Sequence, residues 1–186
     1  MTVALLLIDI QRDYFSGGKM ELVGAFEASL QAKEVLSRFR KQKKLIIHIQ
    51  HISTRPDASF FLPNTSGIEI HQNVEPLQDE EVIIKHSPNS FKETNLLTIL
   101  NKQQVNSLVI AGMMTHMCVD STTRAAFDLG FQCTVLQDAC ATRALTFSGK
   151  EISADNVHQA FLAALSVPFA RILPVEEFLG FINKEN

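Results

Sequence analysis

Cysteine is scarce in this chain of 186 residues: Cys118, Cys133 and Cys140 are the whole complement, and no two of them form a C-x-x-C pair. An odd count without metal-ligand spacing excludes a disulfide scaffold and points to reduced thiols in a cytoplasmic protein. Excess positive charge is missing too. The 17 Lys and Arg stand against 20 Asp and Glu, a net charge of −3, which leaves no basic field for holding nucleic acid. The one basic cluster, Arg38-Phe39-Arg40-Lys41-Gln42-Lys43-Lys44, closes a predicted helix, where positive charge complements the helix dipole. The opening MTVALLLIDIQRDYF has an apolar run but no basic flank and no small-residue cleavage site, so no secretory leader is expected. No run approaches a membrane-spanning length, and no repeat, linker or low-complexity segment is visible. These absences leave small-molecule chemistry as the natural direction, with no membrane partner.

What is present is a pattern. Hydrophobic residues make up 46% of the chain, and its length suits one domain, residues 1–186, with a full core. Apolar runs alternate with stretches of helical period, the signature of βαβ units. Strands are predicted at Val3–Ile8, Leu45–Gln50, Val82–Ile84, Ser107–Ala111, Cys133–Leu136 and Arg171–Leu173, the last at an edge. Helices are predicted at Phe26–Lys43 with Phe26 and Leu30 on its apolar face, from a cap at Thr94 or Asn95 through Lys102, and over Cys118–Leu129 with a stop at Gly130. Two more follow, Asn156–Leu165 capped by Asp155, and Val175–Ile182. The stretch from His51 to Glu80 shows no period and carries Pro56, Pro63, Gly67 and Pro76, which reads as a long functional loop. The fold class is therefore α/β: a three-layer α/β/α domain around a mainly parallel sheet of about six strands, with right-handed crossovers.

Asp9 ends the first strand, Lys85 ends EVII, and Cys118 follows SLVIAG by a short Gly-containing loop. In an open parallel sheet those positions share one edge, where ligands bind. A carboxylate, an ammonium and a thiol in one pocket suffice for nucleophilic catalysis by an activated cysteine. Cys118 is expected at the first turn of its helix, where unpaired N–H groups and the dipole favour an anion, and Lys85 is expected to lower the thiol pKa further. Asp9 is the candidate proton acceptor. The backbone N–H groups of the loop from Gly112 to Met117, with that of Cys118, are candidates for an oxyanion hole. Taken singly each residue has a plainer use, as core thiol, turn carboxylate or surface lysine. Together on one edge they point to chemistry.

VALLLIDIQRDYF resembles the opening signature of the isochorismatase-like cysteine hydrolases, a strand followed by Asp-x-Gln-x-Asp-aromatic. VIIKHSPNSF resembles their Lys-bearing strand end with its downstream Ser-Phe. VIAGMMTHMCVDSTTRAAFDLGF resembles their nucleophile segment, Gly-x-x-Thr-x-x-Cys-Val followed by an Arg-Ala helix. The resemblance covers nearly the whole chain, in family order. It implies an isochorismatase-like, Rossmann-like fold in which Cys118 attacks a carbonyl, Asp9 shuttles the proton and Lys85 stabilises the thiolate through a thioester intermediate. It also implies a non-proline cis peptide between Met113 and Met114, which turns the Met114 N–H toward the oxyanion beside that of Cys118. A homo-oligomer, dimer or tetramer, is a further expectation from the family.

Family members that cleave the vinyl ether of isochorismate generally lack this cysteine, so Cys118 favours amidase-type chemistry. Nicotinamidases carry an Asp-x-His metal motif after the second strand. His51-Ile52-Ser53 stands at the equivalent positions and does not preserve it, so neither metal nor other cofactor is expected. His48 and His51 lie an odd number apart in an extended segment and face opposite ways, and His71 sits in the unpatterned loop. His51 reads instead as a polar pocket wall. Tyr14, at the aromatic position of the first signature, together with Phe60, Phe61 and Phe91, are candidate substrate-binding residues, although ordinary core packing explains Phe91 equally well. Gln11 and Asp13 read as residues that fix the loop after the first strand, and Arg124 as a partner for a carboxylate.

The function expected is hydrolysis of a C–N bond in a small amide, ureido or lactam compound. The alternatives are an isochorismatase or nicotinamidase-type hydrolase, a thiol redox sensor using Cys118 without acyl transfer, and a non-catalytic interaction module that keeps the fold.

Overall fold

In a computed structural model that describes residues 2–182, six strands form one parallel sheet in the spatial order β3-β2-β1-β4-β5-β8. They are β1 (Val3–Ile8), β2 (Leu45–His51), β3 (Glu81–Lys85), β4 (Ser107–Met113), β5 (Gln132–Ala141) and β8 (Arg171–Leu173). A separate antiparallel hairpin of β6 (Leu145–Phe147) and β7 (Lys150–Ile152) carries no long apolar run, and the periodicity did not reveal it. The helices are α1 (Ala25–Lys41), α2 (Leu96–Lys102), α3 (Asp120–Asp128), α4 (Ala154–Leu165) and α5 (Val175–Ile182). No helix among the described residues is long and apolar enough to cross a membrane.

Strand alternation builds the three layers. Leu5 and Leu7 of β1 face a core shared with α1 and α5, through Val35, Leu36, Phe39, Phe178 and Leu179. Ala4, Leu6 and Ile8 face the other core, with Leu96 and Leu100 of α2, Ala126 of α3, and Leu162 and Leu165 of α4. Since successive strand side chains point to opposite faces, a sheet covered on both sides needs such an unbroken apolar run. The order steps outward from β1 through β2 to β3, then returns past β1 to β4. The reversal between β1 and β4 opens a crevice beyond their C-terminal ends.

Four expected details are corrected. The buried stripe of α1 is Ala25, Ala28, Ser29, Ala32, Val35, Leu36 and Phe39, whereas Phe26 and Leu30 are exposed. Small alanines let the helix backbone approach the sheet closely, so the smaller residues face inward. α4 is capped by Ser153, whose Oγ accepts from Asn156 N, not by Asp155. Cys118 does not begin an α-helix. It sits in a π-helical turn over Thr115–Val119, and α3 starts at Asp120. The fifth strand runs on past Leu136 to Ala141 through a register shift against β4, and there Asp138 Oδ1 accepts from Val175 N, the first residue of α5. Asp138 thus caps the start of a helix far along the chain.

The long connection from β2 to β3 contains only two 3-10 turns, at Ser66–Ile68 and Gln72–Val74. Its far end is fixed by Glu80, which accepts from Arg40 at 2.6 and 2.7 Å, from His48 Nε2 at 2.8 Å and from Leu77 N at 3.0 Å. Arg40 also donates to Glu75 O, so the basic end of α1 clamps this loop. Burial works against the Glu80 charge, but Arg40, the Leu77 N–H and His48 outweigh it and hold the carboxyl down to about 2. A carboxyl depressed by folding contributes stability above its ordinary pKa near 4.5 and loses it as pH falls toward 2. Glu80→Gln should therefore cost about 2–4 kcal/mol at pH 7. The gap from wild type should close between pH 4.5 and pH 2, measured by thermal or urea unfolding across that range. A gap that stays constant through acidification would show that the Glu80 charge is not what the network uses.

Candidate active site

Each of the three strand-end groups arrives at the crevice by a different route. Asp9 follows the last residue of β1 with a left-handed backbone, φ 52°, which an aspartate tolerates better than most side chains. Its N–H donates to Ile49 O, which ties the turn to β2. Lys85 is the last residue of β3, paired in register with His51 at the end of β2. β4 delivers Cys118 through Gly112 and the turn that follows. Gly112 pairs with Ile8 at φ 140°, and a Cβ there would overlap Ile8 O, so only glycine lets the two strands meet at this point. The peptide between Met113 and Met114 is cis. Met114 O accepts from both Met117 N and Val119 N, which fixes the turn on either side of Cys118.

The Lys85 ammonium lies at the centre. Its Nζ donates to Asp9 Oδ2 at 2.7 Å, to Ser87 O at 3.1 Å and to Cys118 Sγ at 3.2 Å, and it lies 2.9 Å from His51 Nδ1. The side chains of Lys85 and Asp9 are both 0% exposed. Burial alone would favour neutral lysine, but Asp9 first and then Cys118 reverse this, and the lysine pKa is raised. A carboxylate oxygen of Asp9, a ring nitrogen of His51 and Cys118 Sγ lie within 4.8 Å of one another, a spacing that would suit a metal ion. The ammonium already contacts all three, however, so the cation of this cluster is supplied by the chain itself. His48 and His71 belong elsewhere: His48 bonds Glu80, and His71 stacks on Phe15.

The thiol reverses an expectation. The sequence suggests a lowered Cys118 pKa, yet the structure raises it. Burial acts first and the Asp9 charge second, and Lys85 only partly offsets them. The charge count explains this. Carboxylate, ammonium and thiol sum to zero, and losing the thiol proton to solvent would leave a net negative charge in a dry site. A proton passed from Sγ to Asp9 keeps the sum at zero. Asp9 Oδ1 is buried and makes no hydrogen bond, so an acceptor stands open for it. The site thus disfavours ionisation to water and permits transfer within itself.

A cavity of about 150 Å³ opens onto Cys118. Tyr14, His51, Ser53, Phe60, Phe61, His86, Pro88, Met114 and Met117 line it, together with Arg55, Asp57, Ala58 and Ser59. Four of the five expected wall residues are thus brought to the cavity. Phe91 is not: its ring stacks on Phe131 at 6.1 Å, in the core on the α3 side of the sheet. The neighbouring Ser90 has a clearer part. Its N–H and Oγ both bond Thr122 Oγ1, fastening the chain after Lys85 to α3.

Gln11 and Asp13 hold the wall. Gln11 Nε2 donates to His51 O and Ile68 O, and its Oε1 accepts from His51 N at 2.7 Å. Asp13 accepts from Lys19 N at 3.1 Å and from Phe61 N at 2.6 Å. Gly67 packs on the Asp13 carboxylate, where any Cβ would collide with it. Arg124 pairs with Asp120 one turn earlier and lies over the Phe169 ring, so its carboxylate partner is inside the fold. Ser53, His86, Pro88 and Met117 were not foreseen. Ser53, His86 and Pro88 come from irregular segments beside strand ends and Met117 from the π-helical turn that carries Cys118, and only those places could have indicated them.

An open parallel sheet thus brings a buried thiol, carboxylate and ammonium together at its switch point. The sequence model of the Isochorismatase domain family matches residues 3–177, and the chain belongs to this family of hydrolases. It is 48% identical over 179 residues to the isochorismatase family protein YddQ of Bacillus subtilis, covering 96% of this chain and 99% of that one. It is 32% identical over 139 residues to a streptothricin hydrolase of Streptomyces noursei, covering 75% of this chain and 49% of that protein. A crystal structure from Oleispira antarctica, assigned to an isochorismatase-type hydrolase, superposes with a TM-score of 0.93 at 45% identity, over 96% of each chain.

The charge balance makes a direct prediction. Asp9→Asn removes the anion that opposes thiolate formation and leaves Lys85 with the thiolate as its counterion. The Cys118 pKa should then drop toward or below the ordinary cysteine value of about 8.5. Lys85→Met should move it further up. Ultraviolet titration of the thiolate, or the pH dependence of iodoacetamide alkylation, reads both shifts. An unchanged or higher thiol pKa in the Asp9 variant would contradict the assignment of Asp9 as the opposing charge.

Proposed function

We propose that this protein is a cysteine hydrolase that cleaves the C–N bond of a small amide, ureido or lactam compound. The observation that carries the reading is the buried triad itself: Lys85 is bonded to both Asp9 and Cys118, and a carboxylate oxygen of Asp9 lies within 4.8 Å of Cys118 Sγ. Asp9 accepts the thiol proton as Sγ attacks the substrate carbonyl carbon. Negative charge moves from Asp9 to sulfur and then to the carbonyl oxygen, and Lys85 is near enough to follow the first of these moves. The backbone N–H groups of Met114 and Cys118 receive the oxyanion. Asp9 returns its proton to the leaving nitrogen as the C–N bond breaks, which leaves a thioester on Cys118. Water then gives a proton to Asp9 and adds to the thioester carbon. Sulfur leaves and recovers that proton, and the acid product is released.

Cavity size restricts the substrate to a small molecule, and Tyr14, Phe60 and Phe61 give it an apolar, ring-lined wall. The scheme uses no metal: among the described residues the cluster with ligand spacing is Asp9, His51 and Cys118, and the Lys85 ammonium contacts all three. The raised thiol pKa weighs against the redox-sensor reading, since the reactive species there is a free thiolate. A homo-oligomeric assembly is also proposed, on the family resemblance alone.

Cys118→Ala should lower hydrolysis of small amides and carbamoyl compounds by at least about a thousandfold, the size of effect seen when a catalytic nucleophile is removed. Acid quenching of a slow substrate should trap an acyl group on Cys118 that hydroxylamine removes, visible by mass spectrometry. Undiminished turnover by the alanine variant would end the mechanism.

A further inference from the structure

His51 holds an unusual place: it touches the ammonium on one side and the substrate cavity on the other. Its Nδ1 lies 2.9 Å from Lys85 Nζ. A lysine ammonium has only donors, so Nδ1 must be the acceptor, and the neutral ring then carries its proton on Nε2. Nε2 has no hydrogen-bond partner among the described residues. It is also not among their fully buried, unpaired polar atoms, and His51 lines the cavity. The ring is fixed from behind as well, because Gln11 brackets the His51 peptide through both its N–H and its C=O. Burial, followed by the Lys85 charge, keeps His51 down to about 4, so the neutral form persists at physiological pH.

We propose that His51 is a specificity-determining donor. Lys85 locks its tautomer, and its Nε2–H selects substrates that carry a second hydrogen-bond acceptor oxygen beside the scissile carbonyl, as in ureido acids, imides and dicarbonyl amides. This deepens the cysteine-hydrolase reading and rests on it, since the acceptor is placed relative to a carbonyl within reach of Cys118. A second consequence follows from counting. Three ammonium hydrogens serve four acceptors: Asp9, His51, Ser87 O and Cys118. At least one of the three hydrogens is therefore shared between two acceptors as a three-centre bond.

The first test needs no substrate. Nitrogen-15 NMR of the imidazoles near pH 7 should show His51 with a protonated Nε2 and an accepting Nδ1, and Lys85→Met should release that preference. A His51 protonated on Nδ1 would overturn the proposal.

The second test measures binding in a Cys118→Ala background, so that turnover plays no part. The probes are N-carbamoylglycine and propylurea, which share a ureido carbonyl and differ in the carboxylate acceptor. N-carbamoylglycine should bind at least 10-fold more tightly than propylurea. His51→Leu should erase the preference, and His51→Gln, which keeps an N–H near the same position, should restore part of it. Equal binding of the two probes, a preference that survives His51→Leu, or no binding of either would each overturn the proposal. Should His51→Leu fail to fold, the NMR measurement on the native sequence still decides. Failure of the cysteine-hydrolase reading would register separately, as turnover by the Cys118→Ala protein.

Discussion

A single buried ammonium organises this molecule's working edge. Lys85 Nζ bonds groups from the ends of β1, β2 and β3 and from the turn after β4, so four stretches of chain converge on one charge. Burying a lone lysine would cost several kcal/mol, and the charge persists because a carboxylate and several lone pairs surround it. The arrangement depends on the sheet order. β1 must lie beside both β2 and β4, with β3 just beyond, for the three side chains to meet.

The same charge sets the reactivity of the thiol. An isolated cation beside a cysteine would produce a standing thiolate, which invites oxidation and alkylation. Here Asp9 balances the cation, and in the mechanism proposed above sulfur keeps its proton until a transfer inside the cluster releases it. On that proposal, reactivity is coupled to Asp9 rather than displayed continuously. The expectation of a lowered thiol pKa failed because it counted Lys85 and the helix terminus without counting the carboxylate or the loss of water. It also placed Cys118 in a regular helix, whereas the residue occupies a π-helical turn ahead of one.

The sheet was legible because fully buried strands leave unmistakable apolar runs. β1, α2, β8 and α5 fall at their expected limits, and the other long elements differ by a few residues at their ends. The meeting of Asp9, Lys85 and Cys118 was legible for the same reason: strand ends can be located before any loop can. The hairpin at Leu145–Ile152 was not, since its strands are three residues long and mostly exposed, so burial imprints no pattern on them. Phe91 was misplaced because an aromatic residue after a strand can turn to either face of the sheet, and sequence position does not say which. Phe26 and Leu30 misled in a related way, for size suggested burial where close packing favoured alanine. The parts of Gln11 and Asp13 could be guessed from a turn signature. Which backbone atoms they hold, 40 to 57 residues away, could not.

Those tethers share one chemical trait. Gln11 grips the carbonyls of His51 and Ile68 and the His51 amide, and Asp13 grips the amide of Phe61. Every one of these bonds ends on main chain, so the anchorage is blind to which side chains the loop presents. Loop side chains that make no contact with Lys85 can therefore be exchanged without loosening these tethers. Position 67 is the exception, because there the absence of a side chain is itself part of the joint.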